Sequence, residues 1–372
     1  MAASNEALAR NARPSRDRSK DASTSIARGS VVDLFCGVGG LTHGFTLEGF
    51  RVAAGIDVDE DCRFAFERNN RAPFLRKDVA NLKPSELREM FFKGGPTILV
   101  GCAPCQPFST YNQKNDDPKW KLVKRFGELI VSIRPDVVSM ENVPRLLDFQ
   151  GGKVFDGFVR VLRDSGYTVH YEVAFLPGYG VPQRRSRLVL LASRHGEIRL
   201  ESPNTPPDRY VTVEDAIGDL PALSAGGVDA RDPLHRASRL SKTNLARIRA
   251  SRPGGSWHDW SEELVAKCHR VETGRGYASV YGRMRADEPS PTITTQFFGF
   301  GNGRFGHPTQ DRGLSLREGA LLQSFPRKYA FQAPGEKVQF KKLGRFIGNA
   351  VPVSLGRAIA RSVRRHLEEH DL

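Results

Sequence analysis

The chain has 372 residues, of which 39% are hydrophobic, and its formal net charge of +14 corresponds to an isoelectric point near 9.8. This length allows one large hydrophobic core and a smaller one. No stretch approaches the roughly 20 apolar residues that cross a bilayer, and no apolar segment follows the basic N-terminus as in a signal peptide. We therefore expect no membrane-spanning helix, and the positive charge favours a polyanionic partner.

The first 29 residues are rich in Ala, Ser, Arg and Asn and show no apolar periodicity. Segments of this kind do not bury enough apolar surface to fold. We therefore expect residues 1–29 to form a disordered basic tail without a catalytic role.

A glycine-rich loop follows the first apolar run. Val31 to Phe35 has the pattern of a buried strand, Cys36-Gly37-Val38-Gly39-Gly40 follows it, and a helical stretch begins at Leu41. The next strand ends at Asp57, about 20 residues past the loop, where nucleoside-binding folds place the acid that accepts from ribose hydroxyls. The pattern favours a nucleoside cofactor, although glycines that only form a tight turn would look the same.

A cysteine flanked by prolines follows a second apolar run. Residues 97–100 predict a buried parallel strand that leads to Pro104-Cys105-Gln106 at the edge where open α/β sheets bind their ligands. Cys105 is the candidate nucleophile. Cys102 and Cys105 also fit a thioredoxin-like pair or half of a zinc site, but the other cysteines form no second pair that would complete four ligands.

Two further polar groups follow apolar strands. Residues 135–140 predict a strand that ends in Glu141-Asn142, and a carboxylate there is costly unless it is solvated or paired. A surface or capping role for Glu141 is the plain alternative. Arg184, Arg185 and Arg187 precede a further strand, and such a run of arginines also fits a solvated or phosphate-binding face.

Five ordered blocks make the chain resemble the DNA cytosine carbon-5 methyltransferase family over residues 31–353. The blocks are Asp33-Leu34-Phe35-x-Gly37-x-Gly39-Gly40, Pro104-Cys105-Gln106 with Phe108-Ser109, Glu141-Asn142-Val143, Gln183-x-Arg185-x-Arg187, and Gly348-Asn349-Ala350-Val351-Pro352. The resemblance implies that S-adenosylmethionine is the methyl donor and that the acceptor is a cytosine flipped out of double-stranded DNA.

The resemblance also implies roles for individual residues. Cys105 would attack carbon-6 of cytosine and Glu141 would bond or protonate ring N3. Arg185 and Arg187 would belong to the catalytic pocket, with Arg185 the favoured contact to the base carbonyl or a phosphate. The implied cofactor site consists of Asp33, Phe35, Gly37, Gly39, Gly40, Asp57, Asp78, Pro104 and Asn349, with no metal.

One position departs from the family pattern. Val58 follows Asp57, where relatives often have an aromatic residue that stacks on adenine. Asp78 resembles the family acid near the adenine amino group, and Phe35 is expected to pack on the cofactor. We expect weaker stacking at Val58 or a replacement by another side chain.

These patterns predict an α/β fold with a doubly wound, mostly parallel sheet, similar to the Rossmann-like methyltransferase fold. The expected catalytic domain comprises residues 30–190 plus 334–372. Between them the alternation of strand and helix fades among prolines and paired glycines, so residues 191–333 are expected to form an irregular target-recognition domain.

Positive charge is concentrated after the catalytic loop and in the C-terminal third. The candidates for phosphate contact are Lys114, Lys119, Lys121, Lys124 and Arg125. The expected partners are double-stranded DNA and a separately encoded restriction endonuclease, for a monomer in the bacterial cytosol with no membrane contact.

Three other functions fit parts of the sequence. An RNA methyltransferase of the same fold would act on tRNA through the same cysteine chemistry, but relatives of that kind carry a Cys-Phe-Thr block that this chain lacks. A catalytically inactive DNA-binding regulator would be expected to lose Cys105 or Glu141. A nicotinamide dehydrogenase would explain the glycine loop and Asp57 but not the block around Cys105.

Overall fold

The computed structural model describes residues 29–104, 117–277 and 279–372. Its strands are β1 (Ser30–Leu34), β2 (Arg51–Asp57), β3 (Phe74–Arg76), β4 (Thr97–Gly101), β5 (Val137–Asn142), β6 (Thr168–Phe175) and β7 (Ser186–Ser193). Its helices are α1 (Gly40–Leu47), α2 (Arg63–Asn70), α3 (Pro84–Met90), α4 (Lys121–Ile133), α5 (Lys153–Asp164), α6 (Val213–Ile217), α7 (Lys242–Ala250), α8 (Glu272–Arg275), α9 (Leu316–Leu322), α10 (Phe340–Asn349) and α11 (Val353–Glu369).

The seven strands form one sheet in the order β3-β2-β1-β4-β5-β7-β6. Strands β1 to β5 are parallel, whereas β7 runs antiparallel to both β5 and β6. The chain order reverses between β1 and β4, and open α/β sheets bind ligands at the carboxyl ends of the strands next to such a reversal. The predicted doubly wound, mostly parallel fold is confirmed.

Helices cover both faces of the sheet. On one face α4 and α5 pack Phe126 and Phe158 against the strands, and on the other α1 and α11 pack Phe45 and Ile359. Every residue of β1 and β5 is buried, as is every residue of β4 except the half-buried Thr97. This burial on both faces explains why these strands appear in the sequence as nearly continuous apolar runs.

Helix α11 returns the chain to the first helix of the fold. The two backbones touch at Gly44 and Gly356, where a Cβ added to Gly44 would lie 2.3 Å from the Gly356 carbonyl carbon. At the end of α1, the buried Glu48 carboxylate pairs with Arg357 at 2.8 Å and with Arg361 at 3.1 Å. The packing of α1 against α11 therefore depends on both a close backbone contact and a charged anchor.

The segment between β7 and α10 has short helices and isolated bridges instead of an extended sheet. Buried charged groups hold it together. Arg312 and Glu318 form two hydrogen bonds of 2.8 and 2.6 Å, and Arg283 donates to the carbonyls of Ile248, Ser251 and His307. Carbonyl groups that no strand partner satisfies thus find a donor in these arginines.

This segment also shares an apolar core with the sheet domain. Phe66 of α2 and Phe346 of α10 belong to the same buried cluster as Phe297 and Leu316. Strand β7 continues to Ser193, three residues past the boundary expected at 190. Within the described ranges, no helix has both the length and the apolar character needed to cross a membrane.

The close contact between α1 and α11 predicts that an added methyl group destabilises the protein at Gly44 but not at a glycine with free space around it. We expect Gly44→Ala to lower the melting temperature, because overpacking of a tight contact costs about 1–3 kcal/mol. Gly157 in α5 is the matched control, since a Cβ there meets no atom within 4 Å. Gly157→Ala should be neutral or stabilising by up to about 1 kcal/mol through helix propensity. Equal melting temperatures for the two variants would contradict the assigned packing.

Candidate active site

A cavity of about 580 Å³ opens at the carboxyl ends of β1 to β4. Its volume lies within the roughly 300–1,000 Å³ that is typical of small-ligand pockets. Of the predicted cofactor residues, those that line it are Asp33, Phe35, Gly37, Gly40, Asp57, Asp78, Pro104 and Asn349. The structure thus brings together residues that are spread over most of the sequence.

The glycine loop shapes the floor of this cavity. Phe35 has φ +61°, an unusual value for a residue with a side chain, and its ring packs edge-on against Phe126. A Cβ on Gly40 would lie 2.3 Å from the Val351 carbonyl oxygen. The absence of a side chain at Gly40 therefore allows the loop backbone to approach the block at 348–352. Gly39 does not line the cavity; with φ +87° it forms the turn into α1.

Asp33 carries the most unusual carboxyl group of the cavity. The side chain is buried, its Oδ2 accepts a hydrogen bond of 2.5 Å from Thr42, and its Oδ1 has no partner among the described residues. Burial, and secondarily the negative charge of Asp57, raises the pKa of Asp33 to about 7. A buried unpartnered oxygen at a cavity wall is suited to a positively charged ligand group.

Asp57 connects the end of β2 to the glycine loop. Its Oδ2 accepts from the Gly37 amide at 2.9 Å and its Oδ1 from the Asp59 amide at 2.9 Å. Burial raises the pKa of Asp57, and these backbone donors oppose the shift. Each carboxylate oxygen retains acceptor capacity, so Asp57 can also bind hydroxyl groups of a ligand.

The wall around Val58 contains residues that the sequence analysis did not identify. Val58 is 59% exposed at the cavity, a large fraction for an apolar side chain. Arg345 of α10 pairs with Asp59 at 2.5 Å, and its guanidinium lies 5.3 Å from the centre of the Phe346 ring. Both α10 residues line the cavity and lie just before Asn349 on the same helix, but they belong to none of the blocks that indicated a cofactor site.

Asp78 lies at the end of the cavity nearest β3. Its Oδ1 accepts from the Ala80 amide at 2.9 Å, which starts a short 3₁₀ turn. The carboxylate therefore caps this turn as well as lining the cavity.

The second group of predicted residues meets where β4 and β5 end. Gly101, the last residue of β4, is paired with Met140 of β5. The residues that follow these two, Cys102 and Glu141, are therefore neighbours. The Cys102 thiol donates to Glu141 Oε2 at 2.7 Å, and Arg187 Nε forms an ion pair with Oε1 at 2.8 Å. Glu141 is only 2% exposed, so these groups replace its water.

The balance of these contacts determines the ionisation of Glu141. Burial raises the pKa of Glu141, while the positive charge of Arg187 and the Cys102 hydrogen bond act in the opposite direction. The net shift is upward, which favours a protonated carboxyl group at a higher pH than for an ordinary glutamate. A carboxylic acid of this kind can donate a proton to a ligand.

Asn142 fixes the backbone that precedes the candidate nucleophile. Its Nδ2 donates to the Ala103 carbonyl at 3.0 Å, and its Oδ1 accepts from the Val143 amide at 2.9 Å. Cys105 itself lies outside the described residues, as do Lys114 and the rest of 105–116. The described chain on either side ends at Pro104 and resumes at Asp117, and both Pro104 and Pro118 line the cavity.

The two arginines of the Gln183-x-Arg185-x-Arg187 block have different surroundings. Arg185 Nη1 donates to the Ile293 carbonyl at 3.1 Å and to Gln183 Oε1 at 3.3 Å, so it connects β7 to the segment before α9. Gln183 also accepts from the Ile293 amide at 2.9 Å. These contacts favour Arg187 over Arg185 as the arginine of the pocket, because only Arg187 touches Glu141.

The basic residues after the catalytic loop do not share one role. Lys119 lines the cavity, whereas Arg125 pairs with Glu128 and donates to the Leu82 carbonyl at 2.7 Å. Arg125 therefore joins neighbouring elements. The described residues contain no group of three His, Cys, Asp or Glu side chains arranged to hold a metal.

The buried ion pair predicts a pH-dependent loss of stability for Arg187→Met. Without the guanidinium, the pKa of Glu141 rises further above its unfolded value. Folding of the variant must then bury an ionised carboxylate, which costs stability. This loss of stability grows as pH rises from the pKa of Glu141 in the unfolded chain to its higher pKa in the folded variant. We expect a loss of about 3–5 kcal/mol at pH 8 and a smaller loss at pH 5.5, measured by denaturant unfolding.

The control for this prediction is Arg199→Met, which removes an exposed partner of Glu197. Surface pairs contribute only about 0–1 kcal/mol, so this variant should unfold like the wild type at both pH values. An Arg187→Met penalty that is the same at pH 5.5 and pH 8 would show that lost packing, and not Glu141, accounts for it.

Comparison with known proteins gives a consistent result. The family model for the C-5 cytosine-specific DNA methylases matches residues 29–365. The chain is 53% identical over 341 residues to the type II methylase M.HgiDII of Herpetosiphon aurantiacus, covering 91% of this chain and 96% of that protein. It is 31% identical to the type II methyltransferase M1.HphI of Haemophilus parahaemolyticus, covering 90% and 86% of the two chains.

Solved structures show the same fold at lower identity. A putative DNA modification methyltransferase encoded within a prophage of E. coli superposes with a TM-score of 0.71 at 21% identity, over 91% of this chain and 99% of that one. The Dnmt2 methyltransferase of S. pombe gives a TM-score of 0.59 at 17% identity, covering 92% and 99%. From the family match and these relatives, the chain belongs to the C-5 cytosine-specific DNA methylases and is a DNA cytosine-5 methyltransferase of the type II kind.

Proposed function

We propose that this enzyme transfers a methyl group from S-adenosylmethionine to carbon-5 of a cytosine flipped out of double-stranded DNA, through a covalent bond between Cys105 and the base. The observation that carries the proposal is the buried Glu141 carboxyl at the end of β5, paired with Arg187 and next to the cofactor cavity. A flipped base is the substrate that such a recessed acid could reach.

The cavity fits the proposed cofactor in three respects. The unpartnered Oδ1 of Asp33 suits a cationic group, and S-adenosylmethionine carries an ammonium and a sulfonium. Asp57 at the end of β2 suits the ribose hydroxyls. Phe35, Val58 and Phe346 supply apolar wall for the adenine. The bound cofactor would supply an electrophilic methyl group.

The residues of the chain would do the remaining chemistry. Cys105, as a thiolate, forms a bond to carbon-6, and the displaced electron pair moves toward N3, where protonated Glu141 donates its proton. Carbon-5 thereby becomes nucleophilic and accepts the methyl group. Loss of the carbon-5 proton to solvent and departure of the thiolate restore the double bond between carbon-5 and carbon-6, and return of the N3 proton to Glu141 restores the neutral aromatic base and the acid. The raised pKa of Glu141 supports its role as the acid.

Arg187 would hold Glu141 and face the same base, whereas a base contact for Arg185 stays a prediction. Residues 30–190 with 334–372 would act as the catalytic domain, and residues 191–333 would read the bases that flank the target. The hydrogen-bond network around Arg283 supports the second assignment, because it gives this irregular segment a defined shape.

The type II names of the relatives support a role in protecting DNA from a separately encoded restriction endonuclease. We propose that the enzyme acts as a monomer in the bacterial cytosol. Methylation of tRNA is not favoured, since the relatives named above are DNA modification enzymes by their type II designation, and the likeness to Dnmt2 concerns the fold.

The nucleophile is tested by Cys105→Ala. We expect this variant to abolish methylation in bisulfite sequencing of DNA from cells that express it, while cofactor binding is largely retained. Cys268→Ala is the control, because Cys268 is an exposed cysteine outside the cavity, and it should methylate like the wild type. Methylation by the Cys105 variant would overturn the covalent mechanism.

The role of Asp33 is tested by proton release on cofactor binding. With its pKa raised to about 7 by burial, Asp33 is partly protonated near neutral pH in the free enzyme. A cation beside it favours the ionised form, so binding should release protons and should become tighter from pH 6 to pH 8. Calorimetry in buffers of different ionisation enthalpy measures this release.

Asp33→Asn should bind more weakly and release no proton from this position. If the variant and the wild type released the same number of protons, another group would be responsible, and the placement of the cation beside Asp33 would be wrong.

A further inference from the structure

The described groups that face the Glu141 carboxylate come from the two sides of β5. Arg187 of β7 lies against Oε1, and Cys102, one residue past β4, donates to Oε2 at 2.7 Å. Cys102 also lines the cofactor cavity. Its thiol thus lies between the cavity and the carboxyl group that the proposed function assigns to the base.

The two contacts differ in how readily they can be exchanged. Arg187 is a cation with a side chain only 11% exposed, and moving it from Oε1 would leave its buried charge uncompensated. Cys102 is neutral and its S–H group is a weak donor. An incoming group that hydrogen-bonds to Glu141 would therefore replace the thiol at Oε2 and leave the ion pair intact.

The chemistry of a thiol suits this position. Sulfur can donate its proton to an ionised carboxylate and can accept a hydrogen bond from a protonated carboxyl group. Cys102 can therefore hold Oε2 in the same place in both protonation states of Glu141. Alanine would hold it in neither, whereas the serine hydroxyl could do so in both and is the stronger donor.

We propose that Cys102 is a positioning residue, which holds Oε2 of Glu141 until the target base takes its place and tunes the proton affinity of that carboxyl group. The proposal rests on the proposed function, in that Glu141 acts as an acid toward the base. It gives the first cysteine of the C-x-x-C pattern a role distinct from that of the nucleophile.

The test is the pH dependence of kcat/KM for DNA, at saturating S-adenosylmethionine, for Cys102→Ala and Cys102→Ser, because kcat/KM reports the enzyme before the base has displaced the thiol. If Glu141 acts as an acid, activity falls as pH rises through its pKa. The Cys102 hydrogen bond lowers that pKa, so its loss in Cys102→Ala should move this alkaline limb upward by about half to one pH unit. In Cys102→Ser the limb should lie at or below its wild-type position.

A purely structural role for Cys102 would lower kcat/KM or the melting temperature without moving the limb, and this result would overturn the proposal. A limb that moved upward equally in Cys102→Ser and Cys102→Ala would also overturn it. Cys268→Ala is the matched control and should leave the profile unchanged, since Cys268 lies outside the cavity. If Cys102→Ala does not fold, the position of the alkaline limb in Cys102→Ser still tests the proposal.

A separate measurement distinguishes failure of this proposal from failure of the proposed function. DNA containing 5-fluorocytosine should trap the wild-type enzyme covalently and should not trap Cys105→Ala, whatever the role of Cys102. If the wild type is trapped but the alkaline limb of Cys102→Ala does not move, only the positioning role is rejected. Absence of trapping would reject the covalent mechanism itself.

Discussion

A carboxylate that is 2% exposed at the end of a buried strand is stable only if fixed groups replace the water it has lost, and Glu141 imposes this requirement on the site. Parallel pairing of β4 with β5 brings Cys102 to one oxygen, and antiparallel pairing of β5 with β7 brings Arg187 to the other. Because β5 has a parallel neighbour on one side and an antiparallel neighbour on the other, a thiol and a guanidinium group reach the same carboxylate.

The cavity at the carboxyl ends of β1 to β4 obeys a related rule. Its carboxylates lie near the ends of β1, β2 and β3, and two of them also support the local backbone: Asp57 accepts from the Gly37 amide and Asp78 caps a turn. Asp33 differs, because one of its oxygens has no partner among the described residues. Such an unsatisfied buried atom costs stability in the free protein, and it is the kind of cost that proteins accept where a ligand binds.

The sequence predicted the parts of this structure that depend on short-range patterns. The apolar runs that became β1, β4 and β5, the glycine loop and Asp57 were all recognisable, because buried strands and tight turns restrict residue type locally. Contacts set by strand register were harder to foresee. Cys102 and Glu141 are neighbours through the pairing of Gly101 with Met140, and only this pairing shows that the first cysteine touches the acid.

No motif indicated Arg345, although it lies on the same helix as Asn349, because a single arginine in an amphipathic helix carries no local signal. The base contact of Arg185 stays a prediction, and its contacts with Gln183 and Ile293 depend on tertiary packing that the sequence does not reveal. The segment after β7 lacked a periodic pattern for a physical reason. Buried guanidinium groups, which have no sequence period, satisfy its carbonyls.

The return of α11 to α1 has a consequence for how the protein is made. Val351 packs against the backbone of Gly40, and Gly356 against that of Gly44, so α1 is completed by residues that lie more than 300 positions later in the chain. During translation the strands can pair as they emerge, but α1 keeps an uncovered apolar face until α11 has left the ribosome. Completion of the cavity is thereby linked to the synthesis of α11, and a chain interrupted before α11 would expose apolar surface to chaperones and proteases.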